Sequence, residues 1–254
     1  LQTDNPSPLR AVINADDLGI SPAVNAAIFD LMRRGRITSA TILANGSALQ
    51  NAVDGLREFP QCSFGVHLNV DEFASLTRHP GFRGHLDSNG YFRGSVRHVP
   101  IDRYFRDAVV AEWTAQVDSL LQSGVPVSHL DSHHHVHTVP QLFFALKRVQ
   151  QHFGIQRVRL SRNLEARPTS LTSRAKKAAW NFALRKYVRT RTTDACTSFA
   201  VFLEIARKRR PAVQTIELMA HPGHPRYESE THTLAEAWER ELAFPVTLQS
   251  YRDI

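Results

Sequence analysis

Cysteine is scarce in this chain. Cys62 and Cys196 are the only two, too few for a disulfide framework, and they are expected to be buried thiols in a reducing, cytoplasmic compartment. Long apolar runs are missing too: none approaches the roughly 18 residues that span a bilayer. No basic stretch followed by an apolar one opens the chain, so no secretory targeting is expected. The first residue is Leu1 rather than Met, compatible with a missing N-terminal piece. No Gly-rich phosphate cradle of the GxGxxG or GxxxxGK type occurs. A G-x-S-x-G elbow is absent, and neither cysteine lies within the histidine motifs described below. Covalent serine or thiol catalysis is therefore disfavoured.

What is present suits a globular protein with a sizeable core: 254 residues, 42% hydrophobic and 22% charged. The net charge of +7 is uneven. Residues 157–191 hold 11 Lys/Arg against Glu165 alone, a local balance of +10, which leaves the rest at −3.

Short β-branched runs alternate with helical patterns along the chain. Residues 1–9 read as a loose lead-in and Val12–Ala15 as a strand ending in Asp16-Asp17. Ser21-Pro22 starts a helix to about Arg34. Strands are expected at 38–44, 64–70, 127–132, 157–161 and 215–220. Helices are expected at 48–58, 101–122, 140–152, 176–188 and 234–242, whereas 198–203 reads equally as strand or buried helix. A Gly-, Pro- and His-rich stretch near 71–100 reads as a lid or substrate loop, and 161–195 as a basic insertion. No break marks a domain boundary, so a single α/β domain, residues 1–254, with a parallel sheet and crossover helices is expected.

The densest chemistry lies in His129-Leu130-Asp131-Ser132-His133-His134-His135-Val136-His137, which holds five of the 13 histidines. In an extended strand, His129, Asp131, His133, His135 and His137 would share one face. Imidazole and carboxylate together suggest a metal or acid–base site, although a solvated His-rich turn has the same composition. Polar residues gather at other strand ends as well: Asp16-Asp17, His67 with Asn69, and His221. In α/β barrels and open parallel sheets, sites form at that rim. Of two adjacent carboxylates, one can ligate a metal while the other acts as base. An Asp-Asp-x-Gly turn that caps the next helix is the plainer reading, but Gly19 and Ser21-Pro22 already supply turn and cap. Two His and one Asp (His67, His133, Asp17) would leave coordination positions open, as catalytic zinc and non-haem iron sites do. His221 before Pro222-Gly223 reads as a general acid or as an exposed turn residue.

Asn14–Gly19, Gly65-Val66-His67, the histidine tract and His221-Pro222 together resemble the motifs of the YdjC family of carbohydrate deacetylases, which has chitooligosaccharide and hopanoid-associated members. Ser250–Ile254 is similar to the end of the chitooligosaccharide members. The match is weakest over 71–100 and 161–210, and Leu18 stands where the family commonly has Phe. The resemblance implies a distorted (β/α) TIM-like barrel with a metal site at the C-terminal rim of its strands. It implies one divalent ion, zinc or magnesium, on Asp17, His67 and His133, with Asp16 as base and His221 as acid. The substrate would be an N-acetylated amino sugar, anionic or lipid-linked variants included. Asp131, His135 and His137 would orient His133 or contact substrate, and Asn69 and Arg159 would lie beside them.

Two other readings compete. A phosphoesterase or sugar isomerase could use the same rim on a similar barrel. Alternatively, the basic segment, with Trp180, Phe182 and Tyr187, could bind nucleic acid or lie on an acidic membrane. No nucleic-acid partner and no transmembrane segment are expected, and a homodimer is compatible with the sequence.

Overall fold

A computed structural model describes residues 7–254. Strands and helices alternate: β1 (Leu9–Leu18), α1 (Pro22–Arg33), β2 (Ser39–Ile42), α2 (Leu49–Gly55), β3 (Ser63–Leu68), α3 (Arg103–Gln122), β4 (Val127–Ser132) and α4 (Phe143–Phe153). They continue as β5 (Arg157–Val158), α5 (Leu171–Lys186), β6 (Ala195–Ser198), α6 (Phe199–Ala206), β7 (Thr215–Ala220), α7 (Glu228–Ala235) and β8 (Val246–Leu248). Most of the expected lead-in lies outside the described residues, and Leu9 already belongs to β1.

Every strand pair is parallel, in the order β5-β4-β3-β2-β1-β7-β6. Strand β1 is central. Its first half pairs with β8 and its second half with β2, while β7 runs along its other edge. The two end strands approach each other after β5. There the Asn163 N–H donates to the Cys196 carbonyl at 3.1 Å, and Asn163 Oδ1 accepts from the Cys196 N–H at 2.9 Å. The sheet thus curls into a half-barrel, a single α/β domain consistent with a distorted TIM-like barrel.

Alternation along the strands divides their side chains between two environments. Ile13, Ala15, Ala40, Ile42, Phe64, Val66, Leu130, Val158, Ile216 and Leu218 join one apolar core. Their neighbours Asn14, Asp16, Thr41, His67, His129, Asp131, Arg159 and Glu217 are buried polar groups that hydrogen-bond to one another. A Cβ at Gly65 would meet His129 backbone and ring atoms at 2.6–2.7 Å, so glycine there lets the His129 ring lie against β3.

Several boundaries differ from expectation. Strand β1 extends through Asp16-Asp17 to Leu18. The β5 ladder stops at Val158, and the Ser161 N–H goes to Asn181 Oδ1 at 3.0 Å. The ambiguous stretch at 198–203 is the start of α6, with Ser198 as its N-cap. The expected helix at 234–242 is displaced: α7 ends at Ala235, and a single 3-10 turn buries Trp238 against Phe199 and Phe202. Residues 71–100 form a packed cap. Glu112 on α3 accepts from the Ser75 hydroxyl and from the Leu76 and Thr77 N–H groups at 2.7–3.0 Å, and Phe82, Phe92 and Phe105 pack edge-to-face. Among the described residues no helix is long and apolar enough to cross a membrane.

Candidate active site

The carboxyl end of β1 carries two carboxylates that a regular strand would send to opposite faces. The ladder between β1 and β2 is irregular between Ala15 and Leu18, and Asp17 takes a left-handed backbone (φ 65°). This bulge turns Asp17 inward beside Asp16. Gly19 (φ 97°) completes the bend and donates its N–H to Asn25 Oδ1 at 2.7 Å.

The period-two reading of the histidine tract fails after Ser132. Strand β4 ends there, and His133–Thr138 is a kinked 3-10 segment with His134 and His135 at φ 49° and 55°. His129 and Asp131 therefore face the barrel interior from the strand, while His133 enters from the turn above. The His129 ring lies between Asn14 Oδ1 at 3.0 Å and a stacked Tyr251 at 3.8 Å between centroids, away from the metal-ligand candidates.

Asp17, His67 and His133 offer ligand atoms within 4.8 Å of one another. Asp17 Oδ1 is 2.9 Å from His133 Nδ1 and 3.3 Å from His67 Nε2. His133 Nε2 is buried without a hydrogen-bond partner among the described residues. Of the two roles expected for Asp131, orienting His133 or contacting substrate, the first is directed at His67 instead of His133. Asp131 holds His67, with its Oδ1 at 2.7 Å from Nδ1, and accepts from Thr41 Oγ1 at 2.9 Å. That bond leaves His67 Nε2 facing Asp17, the arrangement in which a carboxylate fixes a metal-binding tautomer.

Asp16 is gripped by Arg159 through two bonds of 2.6 and 2.7 Å. The same guanidinium reaches Asp131 at 2.7 Å and Glu217 at 2.6 Å, and Glu217 also accepts from the Tyr251 hydroxyl. Burial would raise the Asp16 pKa, but the Arg159 charge outweighs it and holds the carboxyl well below the usual range. Burial disfavours a charged His67, yet Asp131 pushes its pKa up to about 10; His133, buried but bonded to Asp17, is pushed up to about 9. Arg159 thus meets three of the buried carboxylates, Asp16, Asp131 and Glu217, while Asp17 is met by His67 and His133. A divalent cation fits the donor set that Asp17, His67 and His133 bring together.

His221, at the end of β7, lies with Nε2 3.8 Å from Asp16 Oδ2 and its ring stacked on Tyr227 at 4.6 Å. Burial lowers its pKa despite Asp16 and Asp17, so the ring rests neutral. Glu230 accepts the His221 N–H at 2.8 Å, and burial pushes its carboxyl up to about 7.

The remaining expected residues take other places. Asn69 lies beneath the site: its Oδ1 accepts from the Asp71 N–H at 2.9 Å and its Nδ2 donates to the Glu72 carbonyl at 2.6 Å, shaping the loop. His137 turns to Ser132 Oγ and the Arg159 carbonyl, with its pKa lowered to about 3 by burial, and does not support His133. The His135 ring has no hydrogen bond among the described residues, and burial beside Arg159 keeps it neutral. Glu72, which the sequence did not single out, sits 3.4 Å from His133 Nε2, a contact that lowers its pKa. Half-exposed Glu72 and His134 form the mouth of the site.

A family model described as YdjC-like protein matches residues 10–249. Among curated proteins, a carbohydrate deacetylase of Halalkalibacterium halodurans is 33% identical over 150 residues, covering 58% of this chain and 62% of that protein. A carbohydrate deacetylase of Vibrio campbellii is 33% identical over 153 residues, covering 58% and 57%. The matched stretch is thus less than two thirds of either relative. In structure, a putative cellobiose-phosphate cleavage protein from Enterococcus faecalis superposes with a TM-score of 0.76 at 22% identity, covering 97% of this chain and 99% of that one. The lactam utilization protein from Thermus thermophilus aligns with a TM-score of 0.50 at 16% identity, covering 94% and 99%.

Proposed function

Because the chain belongs to the YdjC-like protein family, we propose that it is a metal-dependent deacetylase acting on the N-acetyl group of an amino sugar, in an oligosaccharide or glycoconjugate. The observation that carries this reading is the convergence of Asp16, Asp17, His67, His133 and His221, from β1, β3 and the turns that follow β4 and β7, on one rim. Asp17, His67 and His133 would hold the divalent ion, zinc or magnesium, which as a Lewis acid polarises the acetyl carbonyl and lowers the pKa of water.

The chain's own groups supply the proton handling. Asp16, ionised and oriented by Arg159, takes the proton of the attacking water at Oδ2. His221 Nε2, 3.8 Å from that oxygen, relays a proton to the departing sugar nitrogen. Burial, which lowers the His221 pKa, favours release of that proton once the ring carries it. The proton lost by water thus ends on the amine, and hydroxide joins the acetyl carbon as the C–N bond breaks. Glu72, His134 and the half-buried His135 face the approaching sugar, and the 71–100 cap forms one wall.

Acetate release from a panel of N-acetylated amino-sugar oligosaccharides, run beside phosphate release from sugar phosphates and with metal analysis, tests this reading. Asp16→Asn is expected to keep its metal and lose roughly 100-fold or more of turnover, and His133→Ala to lose the metal. Near-normal acetate release by Asp16→Asn would remove the base assignment. Phosphate release without acetate release would replace the reaction.

A further inference from the structure

Helix α5 is seated on the molecule by one end only. Its buried residues are Asn181 and Leu184, and none of the ten residues from Leu171 to Trp180 is buried. Those ten extend about 15 Å. Attachment begins at Trp180, half-buried against the core and edge-to-face with Phe143 at 5.1 Å, and at Asn181, which bonds both the N–H and the carbonyl of Ser161 at 3.0 and 3.1 Å. The end is held by Lys147 Nζ, which donates to the Leu184 carbonyl at 2.9 Å.

The outward face has a pattern of its own. Leu171, Ala175, Ala178 and Phe182 follow the i, i+4, i+7, i+11 spacing of one stripe, roughly opposite Leu184. Leu171 is 78% and Phe182 64% exposed. Arg174 and Arg185 flank the stripe on one side and Lys186 on the other, its Nζ 5.6 Å from the centre of the Phe182 ring. The 163–169 loop, which leaves the carboxyl end of β5, closes a groove of about 1060 Å³ against this face and adds Leu164 and Arg167. Glu165, the sole acid of 157–191, is taken by Lys177 at 2.6 Å. Among the described residues Arg162, Arg167, Arg174 and Lys176 have no carboxylate partner.

An occupant must match both chemistries. A second copy of this face would set cations against cations. A nucleic acid supplies phosphates but no aliphatic surface for Leu171. An anionic bilayer supplies headgroup phosphates and an acyl boundary together. We propose that the outward face of α5 and the 163–169 loop dock on an anionic lipid surface. Leu171 and Phe182 enter the headgroup–acyl boundary, and Arg167, Arg174 and Lys186 meet the phosphates.

The test is co-sedimentation of the full chain with phosphatidylcholine vesicles, with or without phosphatidylglycerol. It is run at about 0.1 M and about 1 M salt, where the screening length falls from about 10 Å to about 3 Å. The chain is expected in the pellet with phosphatidylglycerol vesicles at low salt, and to leave it at high salt. Leu171→Ser/Phe182→Ser and Arg167→Glu/Arg174→Glu should each weaken partitioning about tenfold or more, with unchanged helical circular dichroism and unchanged acetate release from a soluble oligosaccharide. Equal pelleting with both vesicle types, pelleting with neither, or full retention by both variants would overturn the proposal. Retention of an oligonucleotide or an acidic protein in place of vesicles would overturn it in favour of that partner. Sedimentation needs no turnover, so its failure is distinguishable from failure of the deacetylase reading.

Discussion

At the scale of single residues, Arg159 is the group on which the site depends. One buried guanidinium satisfies Asp16, Asp131 and Glu217. Asp16 is the proposed base, and Asp131 holds His67, so the same cation orients two functions. Arg159→Met removes it and leaves three buried carboxylates without compensation, which costs about 3–5 kcal/mol. A urea titration should show that loss, and an unchanged midpoint would mean that the carboxylates find another partner. The histidines give a pH prediction. The folded pKa values of His67 and His133, about 10 and about 9, lie above the unfolded imidazole value. In chelated protein their pairing therefore stabilises fully below about pH 6.5, and that contribution is lost as pH rises toward those values. Melting temperature should fall over that window in chelator and hold when zinc is added, because a ligated nitrogen carries no titrating proton. A flat profile in chelator would contradict the pairing.

At the scale of elements, the bulge in β1 and the break after β4 decide which side chains meet. Asp16, Asp17, His67, His133 and His221 were legible in the sequence because polar residues at the ends of apolar runs stand out. Their partners were less so. Glu217 and Thr41 look incidental until strand order places β7 and β2 beside β1, although a lone charge within Thr215–Ala220 was an available signal. Glu72 lies in an aperiodic loop, and the inward turn of His133 depends on a left-handed kink that no periodicity encodes. Asn69 and His137 share the strand ends but spend their hydrogen bonds on the loop and the turn. In α4, Lys147 is another residue that pattern reading passes over. Its Nζ lies at 2.7–3.1 Å from Gln150 Oε1, the Leu184 and Tyr187 carbonyls and Thr190 Oγ1, tying α4 to the end of α5. Burial lowers its pKa to about 7. Lys147→Met would strand those acceptors, at a cost of about 1–3 kcal/mol. Faster amide exchange over residues 181–190 than over β1 would localise the effect, and uniform exchange would argue that α5 is held elsewhere.

At the scale of the whole molecule, the rim that holds the candidate site is connected to the opposite end of the barrel through its polar interior. Tyr251 is fully buried, stacks on His129, donates its hydroxyl to Glu217 and donates its N–H to Ser39 Oγ at 3.1 Å. Glu217 passes the contact to Arg159, and Arg159 passes it to Asp16. The segment around Tyr251 is also tied to the chain from outside. Arg157 donates to the Arg252 and Ile254 carbonyls at 2.8 and 3.0 Å, and Arg252 to the Pro60 carbonyl at 3.1 Å. Two changes separate packing from charge. Tyr251→Phe keeps the ring and the stack but leaves a Glu217 oxygen without its donor, a cost of about 1–3 kcal/mol. Glu217, whose pKa burial already raises, can then take up a proton, which would leave Arg159 on Asp16 and Asp131 and acetate release within about tenfold of the parent. Removal of residues 250–254 also deletes the buried ring, for a further loss of about 3–5 kcal/mol. That total approaches the whole stability of an ordinary domain, so the truncated chain should show no cooperative urea transition. A truncated chain with the parent's midpoint would show that the barrel interior stands without this latch, and that the link from Tyr251 to Asp16 carries no energy.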